Sequence, residues 1–288
     1  MKIAAIGTFD GVHRGHQSVL NVMKDHAGRK GLEPVAVTFD QHPLAHIAPE
    51  RTPMQLTSLE EKKKLLKEAG VVPVVVEFNE TLRSTTAAGW LRRLKEEWAV
   101  KALVIGYDNT FGCDGVNMSV DDYKKIGEAE GIEVFTAEEI KGVSSSAIRK
   151  AVAKGDVEKA GEMLGRPYTL TSKIVKGNGI GHTIGFPTAN MEMPGGVAFP
   201  KPGVYEATVR IEGEKEWRKA MVNIGNRPTV GCGGENIMET HIIDWDGDLY
   251  GKEVTVGFLS RIRDEKKFDS IDELREQLEK DMDLCKSR

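Results

Sequence analysis

Cysteine is scarce in this chain. The three present, Cys113, Cys232 and Cys285, stand far apart with no CxxC pair, so neither a disulfide framework nor a cysteine zinc site is expected. That usage fits a reducing compartment. No apolar run approaches the ~18 residues of a membrane-spanning helix. The opening, Met1-Lys2-Ile3-Ala4-Ala5-Ile6, is not expected to act as a secretory leader, because a short apolar run enters a motif directly. A cytoplasmic protein is therefore expected. Excess positive charge is missing too: a net charge of −4 gives no electrostatic reason to expect a nucleic-acid or membrane partner. Anion recognition has to be local. Internal repeats and low-complexity tracts are absent. So is the sequence GxxxxGK[ST], which excludes a P-loop kinase.

What is there reads as an ordinary globular protein. The 288 residues, 40% apolar and 29% charged, suffice for two domains with real cores. A monomer or weak oligomer is expected. Through residue 164, short apolar runs (Ile3–Ile6, Pro34–Phe39, Val71–Phe78, Ala102–Ile105, Glu133–Phe135) alternate with helical segments. Those segments lie after Ser58, which has capping-box spacing to Glu61, near Ala87–Trp98 and near Val120–Ala129. The alternation predicts a doubly wound α/β domain, a parallel sheet with helices on both faces. One helix from about Ser146 to Leu164 is expected to close residues 1–164. After Gly165-Arg166-Pro167 the pattern changes. Gly203–Ile211 and Val254–Phe258 alternate, Met221–Ile224 and Met238–Trp245 are further strand candidates, and glycine-rich turns separate them. Residues 165–288 thus predict an antiparallel barrel or sandwich. A last helix, with Ile271, Leu274 and Leu278 on one face, is expected to pack on it.

The most informative stretch is Gly7-Thr8-Phe9-Asp10-Gly11-Val12-His13-Arg14-Gly15-His16. It is a strand end, a glycine turn and a helix start with two imidazoles three residues apart. Positions i and i+3 share a helix face, and free N–H groups at a helix N-terminus favour anions. The expected ligand is a phosphate; the plainer alternative is a βα turn with two solvent-facing histidines. Ser144-Ser145-Ser146-Ala147-Ile148-Arg149 places hydroxyls at a helix cap and Arg149 in the first turn. Alone, it is equally an N-cap with a surface arginine. His42 and His46 have i, i+4 spacing, but Pro43 between them argues against a regular helix and a metal pair. Glycines 177, 179, 181 and 185 do not fit GxGxxG. Glu239 and His241 share one strand face; a carboxylate there could accept a proton, though periodicity alone makes it an ordinary strand residue.

These segments carry a resemblance. Gly7 to His16 resembles the HxGH signature of nucleotidyltransferases, and most of all the flavin adenylyltransferase branch. Ser144 to Arg149 resembles that branch's SSTxIR, with Ser146 in place of Thr. Gly106-Tyr107-Asp108-Asn109-Thr110-Phe111-Gly112 resembles GxDFxFG, with Asn109 and Thr110 where Phe and usually Arg stand. Phe39-Asp40-Gln41-His42-Pro43 resembles FxPHP, with Gln41 in place of Pro. Gly181-His182-Thr183-Ile184-Gly185-Phe186-Pro187-Thr188-Ala189-Asn190 resembles the GxxxGFPTAN motif of riboflavin kinases, with His182 in place of Arg. Glu239-Thr240-His241 resembles the segment with their catalytic glutamate, and Arg261 to Phe268 another landmark.

In this order, the segments resemble the prokaryotic bifunctional riboflavin kinase/FAD synthetase family over nearly the whole chain. The resemblance implies that riboflavin and ATP give FMN in the second half, and FMN and ATP give FAD in the first. It implies ATP contacts at Gly7, Phe9, His13, His16, Asp108, Ser145, Ser146 and Arg149, with His13 and His16 catalytic. In the second half it implies Mg²⁺-ATP at Gly181, Gly185, Thr188 and Asn190, with Thr188 on the metal. Glu239 would be the catalytic base and, with Arg263, would contact the flavin. Two alternatives are a kinase whose adenylyltransferase half is weakened at Asn109 and Thr110, and a flavin-binding sensor without turnover. A pantetheine-type adenylyltransferase shares HxGH but leaves residues 166–288 unexplained.

Overall fold

A computed structural model describes residues 1–107, 110–175, 185–227 and 235–287. The chain divides into two compact units, Met1–Ser145 and Ser146–Arg288. The first holds strands β1 (Lys2–Ile6), β2 (Glu33–Phe39), β3 (Val72–Val76), β4 (Val100–Ile105) and β5 (Glu133–Thr136) in the order β3-β2-β1-β4-β5. Every neighbouring pair is parallel. Its helices are α1 (Arg14–Lys30), α2 (Pro43–Ile47), α3 (Leu59–Glu68), α4 (Glu80–Arg83), α5 (Ala87–Trp98) and α6 (Val120–Glu130).

Burial on both faces explains why these strands read as continuous apolar runs. Ile3 and Ala5 of β1 join Leu20 and Met23 of α1 and Leu66 of α3; Ala4 and Ile6 join Trp90, Leu91 and Leu94 of α5 and Tyr123 of α6. At the edge, β3 exposes Val72 and Val75, and its Pro73 is tolerated there because an edge strand can lack one donor. The strands β1, β2 and β3 run outward on one side, and β4 returns beside β1. The order therefore reverses between β1 and β4, where open α/β sheets place their ligand crevice.

The second unit opens with two helices, α7 (Ser145–Lys154) and α8 (Val157–Leu164), instead of the single helix expected. Gly155 adopts φ +80, and a Cβ there would stand 2.8 Å from Arg261 Cδ and Tyr205 Oη. Asp156 then caps α8, its Oδ1 accepting from Lys159 N at 3.2 Å. A closed antiparallel barrel follows in the order β10-β7-β6-β11-β8-β9. Its strands are β6 (Tyr168–Val175), β7 (Ala189–Met191), β8 (Gly203–Ile211), β9 (Arg218–Arg227), β10 (Glu235–Ile242) and β11 (Glu253–Arg263). Closure removes the exposed edges that an open sandwich would leave. Strands β6 and β7 are absent from the sequence reading.

The terminal helix Ile271–Ser287 packs Leu278, Met282 and Cys285 against Val204, Met221 and Ile243. An ion pair fixes it. Asp281 is 1% exposed; its Oδ2 accepts from Arg263 Nε at 2.8 Å and its Oδ1 from Gln277 Nε2 at 2.9 Å. Removing one partner of a buried pair leaves an uncompensated charge. Arg263→Met is expected to destabilise the barrel by roughly 3–5 kcal/mol in chemical denaturation, and Arg263→Met with Asp281→Leu to recover most of it.

Candidate functional sites

In the first unit, residues 7–16 sit at the β1/β4 switch point. The turn is strained: Phe9 (φ 47) and Val12 (φ 40) adopt left-handed conformations, each worth roughly 1–3 kcal/mol for a non-glycine residue. Asp10 holds them. Its buried Oδ1 accepts from Leu56 N at 2.7 Å and Thr57 N at 3.3 Å, while Gly11 N donates to Thr57 Oγ1 at 3.3 Å. Oγ of Ser145, the last residue of this unit, donates to Asp10 O at 3.0 Å.

His13 is the N-cap of α1, its Nδ1 accepting from His16 N at 3.3 Å. The two rings therefore meet because one caps the helix and the other lies on its first turn, rather than by sharing a helix face. They stack at 3.6 Å between centroids, 16° apart, and Phe9 lies edge-on to His16 at 5.2 Å. Gly15 leaves room for this. A Cβ there would stand 3.1 Å from the His13 ring. Burial first, then the His13 ring, then the Lys62 ammonium hold the His16 imidazole well below 6.5, so it is neutral at neutral pH. Two protonated rings in stacking contact would repel strongly. Its Nδ1 is buried with no hydrogen-bond partner among the described residues.

A cavity of about 290 Å³ opens beside them, lined by Gly7, Thr8, Phe9, His13, His16 and Ser145 together with Gly106, Tyr107, Glu138, Glu139, Ile140 and Val143. Sequence reasoning missed the residues after β5. The switch-point geometry was the available signal, since loops after β4 and β5 border the same crevice. Ser146 and Arg149 belong to the second unit, with Arg149 Nη2 3.4 Å from Ser146 Oγ. Asp108 and Asn109 lie outside the described residues. Pro43, expected to prevent a helix, opens α2 at its first position, where a missing N–H is harmless. His42 caps that helix, and His46 pairs with Glu80 at 3.6 Å.

In the second unit, a cavity of about 450 Å³ is lined by Thr188, Asn190, Ile174, Thr240, Trp245, Asp246, Asp248 and Tyr250, among others. Register explains how Glu239 reaches the same neighbourhood. Asn190 of β7 and Asn223 of β9 both pair with Glu239 of β10, and directly opposed residues on antiparallel strands share a face. Glu239 is half-buried and does not line the cavity, which takes Thr240 and Ile242 from the alternate face of the same strand. His241, two residues on and buried, has Nδ1 2.8 Å from Pro187 O and its ring edge-on to Phe186 at 5.5 Å. It fastens the loop that carries Thr188 to the strand that carries Glu239. Gly185 begins the described part of that loop at φ +84; Gly181 lies outside the described residues. Arg263 is engaged by Asp281 and its guanidinium stands over Phe268 at 5.8 Å, away from the cavity lining. The oxygen donors Thr188, Asn190, Asp246 and Asp248 suit a hard divalent cation that keeps waters and substrate oxygens. Among the described residues no group of three or more His, Cys, Asp or Glu side chains could hold a metal by itself.

Comparison with known proteins matches each half to flavin-cofactor chemistry. A family model described as FAD synthetase matches residues 1–149, and one described as riboflavin kinase matches residues 164–288. Bifunctional riboflavin kinase/FMN adenylyltransferases of Pseudomonas fluorescens and Escherichia coli are 34% and 35% identical over 285 residues, covering 97% of this chain and 90% of each relative. That of Bacillus subtilis is 35% identical over 286 residues, with the same coverage. A solved structure described as a macrolide-efflux protein from Streptococcus pneumoniae matches with TM-score 0.90 and 32% identity, covering 100% of this chain and 94% of its own. Among the described residues no helix is long and apolar enough to cross a membrane. The chain belongs to the bifunctional riboflavin kinase/FMN adenylyltransferase family.

The depressed His16 value has a pH consequence. The unfolded chain protonates this imidazole near 6.5, whereas the folded chain does so only at lower pH, so the folded state loses stability as pH falls below the unfolded value. In NMR titration of the unliganded protein, the His16 midpoint is expected below 6.5; added inorganic pyrophosphate should raise it.

Proposed function

We propose that the chain makes FAD from riboflavin in two ATP-consuming steps, one in each unit. The barrel transfers the γ-phosphoryl of ATP to the ribityl 5′-hydroxyl of riboflavin and gives FMN and ADP. The parallel-sheet unit lets the FMN phosphate attack the α-phosphorus of a second ATP and gives FAD and pyrophosphate. The observation that carries this reading is that each unit has its own cavity, lined by residues of that unit's own signature. We place the functional domains at residues 1–164 and 165–288.

In the first domain, Gly7, Phe9, His13, His16 and Ser145 would surround the triphosphate, with Ser146, Arg149 and Asp108 as further ATP contacts. Reactions of this kind depend on positioning and electrostatic stabilisation, with no covalent nucleophile required. His16, neutral in the unliganded protein, is suited to take up a solvent proton when the triphosphate binds and then to stabilise the negative charge on the departing pyrophosphate. In the second domain, Gly181 and Gly185 belong to the nucleotide loop, and Thr188 and Asn190 offer oxygens to Mg²⁺-ATP. Bound Mg²⁺ supplies charge neutralisation of the phosphates. Glu239, half-buried on β10, accepts the proton of the attacking hydroxyl. Arg263, which donates to the buried Asp281, is placed with Glu239 as a flavin contact.

Two variants separate the reactions. Glu239→Gln is expected to lower FMN formation by roughly 10²–10⁴-fold, the range of general-base catalysis, and to spare FAD formation from supplied FMN. His16→Ala should do the reverse. Chromatography of products reads both. Loss of both activities in a folded variant contradicts independent sites, and FMN formation without any FAD from the wild-type chain favours a kinase with a weakened first domain.

A further inference from the structure

Lys62 belongs to none of the motifs above, yet it bonds Thr8, a residue that lines the first cavity. It is the fourth residue of α3 and only 8% exposed, whereas its neighbours Lys63 and Lys64 pair with Glu60 and Glu61 at the surface. Burying an ammonium is expensive unless it is hydrogen-bonded and paired. Here it donates to Thr8 O at 3.2 Å and Phe39 O at 3.0 Å. Thr8 belongs to the turn after β1 and lines the cavity; Phe39 ends β2. The carboxylates that face it are Asp10, from the turn, and Asp40, just beyond β2. On its other side its charge reaches His16.

We propose that Lys62 is a positioning residue for nucleotidyl transfer: its ammonium ties the β1 turn to the end of β2 and supplies the fixed positive charge beneath the two imidazoles. The inference rests on the reading of this cavity as the adenylyl-transfer site. Two consequences follow from the geometry. The strained Phe9–Val12 turn is held from both ends by the approach to α3, through Lys62 on Thr8 and through Leu56 and Thr57 on Asp10. The charge of Lys62 also opposes protonation of His16, as does His13. Glu138 and Glu139 line the same cavity from beyond β5, and neither cancels the burial that keeps His16 neutral. An arriving triphosphate reverses the local balance, so proton uptake at His16 is coupled to anion binding.

The test uses the full chain with Lys62→Met and Lys62→Arg. For Lys62→Met we expect a loss of about 100-fold in kcat/KM for FAD formation from FMN and ATP, the scale of a misplaced reacting geometry. FMN formation in the same preparation should stay within about twofold of wild type. The NMR midpoint of His16 should rise in Lys62→Met and stay low in Lys62→Arg, a difference that a purely structural role would not produce. Should Lys62→Met fail to fold, Lys62→Gln, neutral but still a donor, carries the same expectations. A neutral variant that keeps FAD formation within about threefold of wild type, or leaves the His16 midpoint unmoved, overturns the proposal. A wild-type chain that forms no FAD instead overturns the reading of the cavity, while the His16 midpoint still reports on Lys62.

Discussion

One buried carboxylate organises the first unit's site. Asp10 accepts two backbone N–H groups from the segment before α3 and so holds a turn in which two non-glycine residues have positive φ. Released from it, Phe9 and Val12 would relax to ordinary conformations, His13 would leave the N-cap of α1, and the stacked imidazoles would part. The strain is therefore local, and rigid elements on both sides sustain it. The sheet contributes the location, because the reversal of strand order between β1 and β4 brings Gly7 and Gly106 to one crevice.

The second unit reaches a comparable result by register. A closed barrel fixes each strand against two neighbours, so the pairing of Glu239 with both Asn190 and Asn223 is set by the whole ladder. The nucleotide loop is then fastened to that ladder by His241 on the Pro187 carbonyl. The proposed base and the oxygens assigned to ATP are thus joined through one ladder of strands. Asp281 and Arg263 do the corresponding work at the terminal helix.

Much of this was legible in the residues. Parallel strands buried on both faces announce themselves as short apolar runs, and all five fell close to where the pattern placed them. Nothing local separates α7 from α8, because Gly155-Asp156 looks like a tolerable helix interior; the close approach of Arg261 and Tyr205 is a long-range fact. Strand β6 alternates, but Ser172 occupies a buried position and interrupts the apolar series, and β7 has only three residues, too few for any periodicity. Lys62 is the clearest omission. A lysine within a charged helix is read as solvated, and nothing in its sequence neighbours reveals two carbonyls waiting beneath it. The same holds for Arg263, whose partner lies 18 residues away on another element.

That two phosphate-handling centres operate on one chain is tested most directly by the fate of ATP. Riboflavin, ATP and Mg²⁺ are supplied to the intact protein, and FAD, ADP and pyrophosphate are quantified together. The account predicts ADP and pyrophosphate in equal amounts, each matching the FAD formed once FMN has been consumed. Pyrophosphate without ADP, or ADP with no pyrophosphate at any time, would contradict it.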